Sequence, residues 1–212
     1  MTLTSLLQAT ERWFKNVDNG YLNGVVLVDL SKAFDSVDHT ILLNKLDLYG
    51  ITGETREWFS SYLFQRSQCC MVNGVLSQSR YLTTGVPQGS TLDPLLFLTY
   101  INDLPNCLEF TTPSMYADDT QITVEAETVA DLENVLDKDM HNRSRTWLSA
   151  NKLSANASKT KFIVIASDHR LKQLVCDPKI KISKELIKRV SKVKPLGVLL
   201  DENLTWEIIL IM

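Results

Sequence analysis

The sequence predicts an α+β fold, a mainly antiparallel sheet backed by helices, and three observations carry that prediction. Helix-spaced apolar segments at 3–15, 38–50, 53–63, 92–104 and 128–150 are interspersed with short β-type runs and do not alternate with them one for one. Asn73-Gly74 joins two β-type runs, 68–72 and 76–82, and is among the strongest short signals for a hairpin. Residues 113–126 read as a strand, a polar tip holding Asp118 and Asp119, and a second strand.

Taken in order, residues 3–15 carry a weak helical pattern that the turn signal Asn19-Gly20 ends. Residues 21–30 form an apolar run rich in valine, the composition of a buried strand, ending at the charged Asp29. Asp38 is placed to cap a helix whose apolar positions are Ile41, Leu42, Leu46 and Leu48 and which stops at Gly50. A second helix after Gly53 carries Trp58, Phe59, Tyr62 and Leu63, and the 68–82 hairpin follows. Residues 85–90 are a loop by their Gly and Pro content, and they feed an apolar stretch of helical length to Leu104. Beyond the 113–126 pair, Thr128 opens an amphipathic helix with Val129, Leu132, Val135, Leu136, Met140 and Trp147 at helical spacing. Short strands at 161–166, 180–182 and 196–200 close the chain.

Length and composition set the outer limits. A chain of 212 residues with 44% hydrophobic and 22% charged residues is an ordinary globular sequence, and one domain is the simpler reading. No apolar run approaches the ~18 residues of a membrane span and no secretory signal pattern opens the chain, so an intracellular protein is expected, nucleus or cytoplasm undivided. The four cysteines, at 69, 70, 107 and 176, include no CxxC pair and have no His at ligand spacing; reduced, mostly buried thiols are expected, without zinc or a disulfide framework. Residues 1–150 carry 10 basic and 19 acidic side chains, whereas residues 151–212 carry 12 basic and 6 acidic. An acidic portion able to hold cations thus precedes a basic portion able to face a polyanion, although Lys179 to Lys194 also fits a plain solvated face.

A carboxylate at the end of an apolar strand is costly unless paired, hydrogen-bonded or metal-bound, which singles out Asp29. Asp118 and Asp119 are neighbours, and in extended chain neighbours point to opposite faces, so both approach one site only at a tight turn. Asp-Asp alone also describes a polar hairpin tip. Together with Asp29 it makes three carboxylates in one sheet, whose repulsion hard divalent cations relieve; two such ions ~4 Å apart suit in-line phosphoryl displacement.

The stretch Val28-Asp29-Leu30-Ser31-Lys32-Ala33-Phe34-Asp35-Ser36-Val37, the stretch Gly85-Val86-Pro87-Gln88-Gly89-Ser90 with Pro94-Leu95-Leu96-Phe97, and Tyr116-Ala117-Asp118-Asp119 resemble motifs A, B and C of reverse transcriptases, in that order. Asp38-His39, Tyr100-Ile101-Asn102-Asp103-Leu104-Pro105 and Trp147-Leu148-Ser149-Ala150-Asn151-Lys152-Leu153 resemble connecting segments of non-LTR (LINE-like, jockey-type) retrotransposon polymerases. The resemblance runs from about residue 5 to residue 206. It implies a polymerase palm over residues 1–212, with motifs A to C in about 21–126 and motif D and primer-grip-like segments in about 127–206. The implied activity is RNA-directed DNA polymerase: two-metal transfer of deoxynucleotides onto a primer 3′-hydroxyl on an RNA or DNA template.

Carried over by position, Asp29 and Asp118 would be the principal ligands of two Mg²⁺ ions, with Mn²⁺ as a substitute, and Asp119 would stand beside them. Ala33 and Phe34 would lie under the incoming sugar, Phe34 excluding a 2′-hydroxyl by clash, though Phe34 also fits a core aromatic. Gln88 and Gly89 would contact nucleotide and template. Lys159 would be a general acid for the departing pyrophosphate, a role its position shares with an ordinary surface lysine. Leu196, Gly197 and Val198 resemble the primer grip.

The departures are specific. Asp93 stands where the family has glycine and is expected to crowd or repel the substrate. The chain opens 28 residues before Asp29, stops soon after the primer-grip-like segment and closes on the apolar Ile208-Ile209-Leu210-Ile211-Met212. The expectation is a chain truncated at both ends, with fingers and thumb largely missing and no endonuclease region. A catalytically inactive remnant or domesticated nucleic-acid-binding module, and a metal-dependent nuclease, are the competing readings.

Overall fold

The computed structural model describes residues 2–174, 177–182 and 185–205; Cys176, Trp206 and the apolar residues 208–212 lie outside the described residues. The chain divides into two compact units, one of residues 1–30, 104–148 and 154–212, the other of residues 31–103 and 149–153.

The first unit opens with helix α1 (Thr2–Asp18), which turns at Gly20 (φ 80) into strand β1 (Leu22–Val28). Leu6 and Trp13 of α1 enter a core with Val25 of β1. Asn23 is fully buried on that same side, and its polar groups are satisfied: it accepts from Asn16 Nδ2 at 2.7 Å and donates to the Trp13 carbonyl at 3.2 Å. A buried amide in a central strand is tolerated because each of these bonds replaces one lost to water.

In the second unit a 3₁₀ turn at Phe34–Ser36 precedes helix α2 (His39–Leu48), which Asp38 caps as expected by accepting the Ile41 N–H at 3.0 Å. Leu42, Leu43 and Leu46 are buried, but Leu48, expected on the apolar face, is 87% exposed. Two residues past Leu46 it lies about 200° around the helix. Helix α3 (Gly53–Leu63) buries Leu63 and leaves Trp58 exposed, stacked on Tyr62. The expected hairpin forms as two short ladders, β2 (Ser67–Gln68) with β5 (Arg80–Tyr81) and β3 (Met71–Val72) with β4 (Val75–Leu76). Asn73 (φ 51) and Gly74 (φ 80) make its turn, both left-handed as a type I′ turn requires. This hairpin is exposed, so Cys69 and Cys70 are exposed too, against the expectation of mostly buried thiols; Cys107 is half-buried. Helix α4 (Asp93–Ile101) is shorter than the apolar stretch suggested and buries Leu96, Phe97, Tyr100 and Ile101.

The chain returns to the first unit through a 3₁₀ turn at Leu104–Cys107, then β6 (Thr112–Tyr116) and β7 (Asp119–Ala126). Thr128 caps α5 (Val129–Leu136), which continues through a π-helical stretch, Asp137–Ser144, into α6 (Arg145–Ala150). In the π stretch the fully buried carboxylate of Asp139 accepts the N–H groups of Phe110 and Thr111. Strand β8 (Lys161–Ile165) follows, then a short helix absent from the sequence reading, α7 (Asp168–Lys172). The short strands β9 (Lys181–Ile182), β10 (Glu185–Leu186), β11 (Lys188–Arg189), β12 (Lys192–Val193) and β13 (Leu200–Asp201) complete the unit.

Five strands form the central sheet in the order β11-β8-β1-β7-β6, antiparallel except for β11 beside β8. The strand expected over 196–200 is instead a 3₁₀ turn, Pro195–Gly197, followed by β13: Leu196 (φ 51) and Gly197 (φ 85) are both left-handed, which breaks an extended run. Val25, Ile163 and Ile165 pack with α1 on one side of the sheet. On the other, Gly24 admits Leu132 of α5; a Cβ there would stand 3.0 Å from Leu132 Cδ1 and from Val124 Cγ1.

Candidate active site

Asp29 immediately follows β1, and its backbone is stitched to the segment after α6. Its N–H donates to Thr160 Oγ1 at 3.2 Å, its carbonyl accepts the Asn156 N–H at 2.8 Å, and Leu30 bridges Ala155. These bonds bring the exposed Lys159 to the strand end. The sequence placed Asn156 and Thr160 in the motif D-like segment around Lys159 but gave them no role toward Asp29, because their partner is 127 or 131 positions away and nothing local marks the pairing.

The β6–β7 pair places the other carboxylates. Tyr116 pairs with Asp119, so the turn residues are Ala117 and Asp118, and Asp119 already belongs to the strand. The tip is therefore Ala117-Asp118 where the sequence suggested Asp118-Asp119. Ala117 has φ 51, a left-handed conformation that a residue with a Cβ rarely adopts, so this turn holds backbone strain. The β1–β7 register ends with Val28 opposite Thr120, which sets the start of β7 beside the end of β1.

Asp29, Asp118, Asp119, Lys159, Lys194 and Leu196 all line one cavity of about 250 Å³ within the first unit. Partial burial, then the charges of Asp118 and Asp29, raise the pKa of Asp119 above the usual carboxylate value. Among the described residues no three His, Cys, Asp or Glu side chains converge closely enough to hold an ion as they stand. The donor set is nevertheless of the kind a hard divalent cation takes: three carboxylates line one cavity, and such an ion would offset the charges of Asp118 and Asp29 that add to the effect of burial on Asp119. Of the primer-grip-like residues, Leu196 reaches the cavity, Gly197 supplies a left-handed turn and Val198 packs half-buried against the core. In the basic stretch leading there, Lys179, Lys181, Lys188, Lys192 and Lys194 are exposed, whereas Arg189 is engaged by Asp177 and Glu202.

The remaining predicted residues belong to the second unit. Ala33 is buried, and the half-buried ring of Phe34 rests on the buried Phe97, centroids 4.4 Å apart. The 85–90 loop is docked onto this segment: the Gly85 N–H donates to the Val37 carbonyl at 2.8 Å and the Val86 N–H to the Phe34 carbonyl at 3.1 Å. Gly85 is required there, since with φ 89 a Cβ would lie 3.1 Å from the Asp35 Cα and carbonyl oxygen. Gln88 Nε2 donates to Asp35 Oδ1 at 2.8 Å, and His39 Nε2 stands 2.8 Å from the Gly85 carbonyl. Asp35 was quoted in the sequence without a role; only the fold reveals it as the partner of Gln88. Lys32, Asp35, Arg66, Gln68 and Gln88 line a cavity of about 940 Å³ in this unit. The Asp93 carboxylate does not open on solvent. It is 8% exposed and accepts the Gly89 N–H at 2.7 Å.

Residues 3–200 match the family described as reverse transcriptase (RNA-dependent DNA polymerase). Among curated proteins the chain is 26% identical to the RNA-directed DNA polymerase from mobile element jockey of Drosophila funebris, covering 86% of this chain and 20% of that protein. It is 30% identical to the probable RNA-directed DNA polymerase from transposon BS of Drosophila melanogaster, covering 89% and 21% respectively. The chain thus spans about a fifth of the length of these relatives. Among solved structures it is similar to apo telomerase from Candida tropicalis truncated from its C-terminal domain, with TM-score 0.58 and 14% identity over 95% of this chain and 39% of that one. It is also similar to telomerase from Candida tropicalis in complex with a TWJ fragment of telomeric RNA, with TM-score 0.61 and 11% identity over 97% of this chain and 32% of that one. At such identities the likeness shows the fold.

Proposed function

The chain belongs to the reverse transcriptase (RNA-dependent DNA polymerase) family, and from that premise we propose that it carries the palm active site of a non-LTR element's RNA-directed DNA polymerase. In this reading residues 21–126 hold motifs A to C of one palm-like domain, residues 1–212, and residues 127–206 hold the motif D and primer-grip-like segments. The observation that carries it is the convergence of Asp29, Asp118, Asp119 and Lys159 on one cavity from three separate places in the chain. The three aspartates would hold two Mg²⁺ or Mn²⁺ ions, whose chemistry is to activate the primer hydroxyl and offset charge on the transferring phosphoryl group.

The chain's own groups take the other roles. Lys159 donates a proton to the departing pyrophosphate, its ammonium also offsetting the developing charge. Phe34, backed by Phe97, fills the space a 2′-hydroxyl needs. Gln88 and Gly89 face the nucleotide and template, and Leu196, Gly197 and Val198 with the basic stretch before them face the primer backbone without reading sequence. The partners are an RNA or DNA template with its primer and deoxynucleoside triphosphates; a relative solved with RNA supports a polynucleotide partner. Among the described residues no helix is long and apolar enough to cross a membrane.

The test uses one preparation and two readouts, the rise in melting temperature on adding Mg²⁺ and the extension of a DNA primer on an RNA template. Asp29→Asn combined with Asp118→Asn should abolish both. A thermal shift that survives in the double variant would refute the metal site. Cleavage of the strands without extension would replace the polymerase reading with a nuclease.

A further inference from the structure

Asp93 is a nearly buried carboxylate that the mechanism above does not use, and its neighbours show what occupies it. It is the first residue of α4, a helix anchored through Leu96, Phe97, Tyr100 and Ile101, all fully or almost fully buried. Its Oδ2 accepts the Gly89 N–H at 2.7 Å, and its own N–H donates to Ser90 Oγ at 3.2 Å, an oxygen that also accepts from Tyr62 Oη at 2.8 Å. A carboxylate accepting a backbone N–H makes a charge-assisted bond, and a negative charge in the first turn of a helix is favourable. The opposite end of the loop is held by the backbone bonds of Gly85 and Val86, and its middle by Gln88 on Asp35. Gly89, with φ 82 and open space where a Cβ would stand, sits in the turn closed by the Ser90 N–H on the Pro87 carbonyl at 3.1 Å, and Asp93 supplies the partner of its own N–H.

We propose that Asp93 is a positioning residue: by holding the Gly89 N–H it fixes the Gln88–Gly89 peptide and sets the angle at which Gln88 faces the 940 Å³ cavity. This rests on the assignment of Gln88 to the nucleotide, and it changes what the carboxylate means. With its oxygen turned onto the loop, Asp93 orders the substrate-facing segment and does not obstruct it. Replacing it with glycine should then loosen the loop and weaken substrate binding, the reverse of what an obstructing carboxylate predicts.

The experiment compares the full chain with Asp93→Gly and Asp93→Asn, Asn keeping an acceptor at nearly the same place. Amide hydrogen exchange at Gly89 is read beside exchange at Leu96 in α4 and Val26 in β1, which report whether each unit remains folded. Asp93→Gly should speed exchange at Gly89 by on the order of tenfold, the scale of one lost hydrogen bond, with Asp93→Asn intermediate and both control amides unchanged. The same three proteins are titrated with dTTP. Weaker binding by Asp93→Gly, partly restored in Asp93→Asn, supports the positioning role. Equal exchange at Gly89 in all three overturns it, as does dTTP binding that is equal or tighter in Asp93→Gly. If the unaltered chain binds no dTTP, the assignment of this cavity to the nucleotide fails, while the exchange comparison still decides whether Asp93 holds the loop.

Discussion

Asp38 illustrates how one side chain can serve several elements. It caps α2, receives Lys152 Nζ at 2.6 Å and, through its own N–H, donates to Tyr100 Oη, which in turn donates to the Asn151 carbonyl at 2.6 Å. Burial alone would raise its pKa, but the Lys152 ammonium and the Ile41 N–H outweigh that and hold it below the ordinary 3.8. Burial likewise pushes the Tyr100 hydroxyl up to about 12, so it stays a neutral donor. A depressed carboxylate pKa contributes stability that is present above 3.8 and lost as pH falls through the folded value. Asp38→Asn keeps a capping oxygen but removes the charge, and the exposure of Lys152 screens the pair, so a loss of about 1 kcal/mol is expected at neutral pH. Urea midpoints should show that loss shrinking towards zero in acid well below the folded pKa; a difference that stays constant with pH would mean that the charge contributes nothing.

At the scale of elements, β1 is the piece on which the site depends. It is flanked by β7 and β8, carries α1 on one side and α5 on the other, and delivers Asp29 at its end. Its alternation is met by Gly24, where α5 comes close enough that Leu132 fills the place of a side chain. Gly24→Ala forces a methyl group to 3.0 Å from two branched side chains, in strand backbone that alanine can otherwise adopt. The expected outcome is destabilisation of about 1–3 kcal/mol by overpacking, measured by chemical denaturation. An unchanged or raised stability would show that α5 can shift away freely. The β6–β7 turn differs, because its strain is local to the half-buried Ala117; it is where an aspartate is held at a strand junction.

Across the whole molecule, protection should be uneven. Val25 and Val26 lie in the middle of a strand paired on both edges and buried on both faces, whereas the 67–81 hairpin is exposed along both arms. Amide exchange is therefore expected to be slowest in β1 and orders of magnitude faster in the hairpin arms, since opening the latter exposes almost no new apolar surface. Equal rates would mean that the hairpin is covered in solution. By itself the sequence determined the antiparallel α+β class, the Asp38 cap, the helix start at Thr128, the Asn73-Gly74 turn and the family, and it singled out the carboxylates of the candidate site. These follow from signals written within a few residues of one another: periodicity, capping chemistry, turn dipeptides and contiguous motifs. It misplaced Leu48, the 196–200 strand and the exposed cysteines, because an apolar or β-forming side chain reports its own preference and not which surface comes to cover it. The tertiary structure alone decided that Thr160 and Asn156 fasten Asp29, that Asp35 holds Gln88 and that the Asp93 carboxylate turns onto Gly89. Except for Asp93 and Gly89, those partners lie more than 50 residues apart, and even that short pair depends on the left-handed backbone of Gly89 itself, so only chain folding could bring the groups within hydrogen-bond reach.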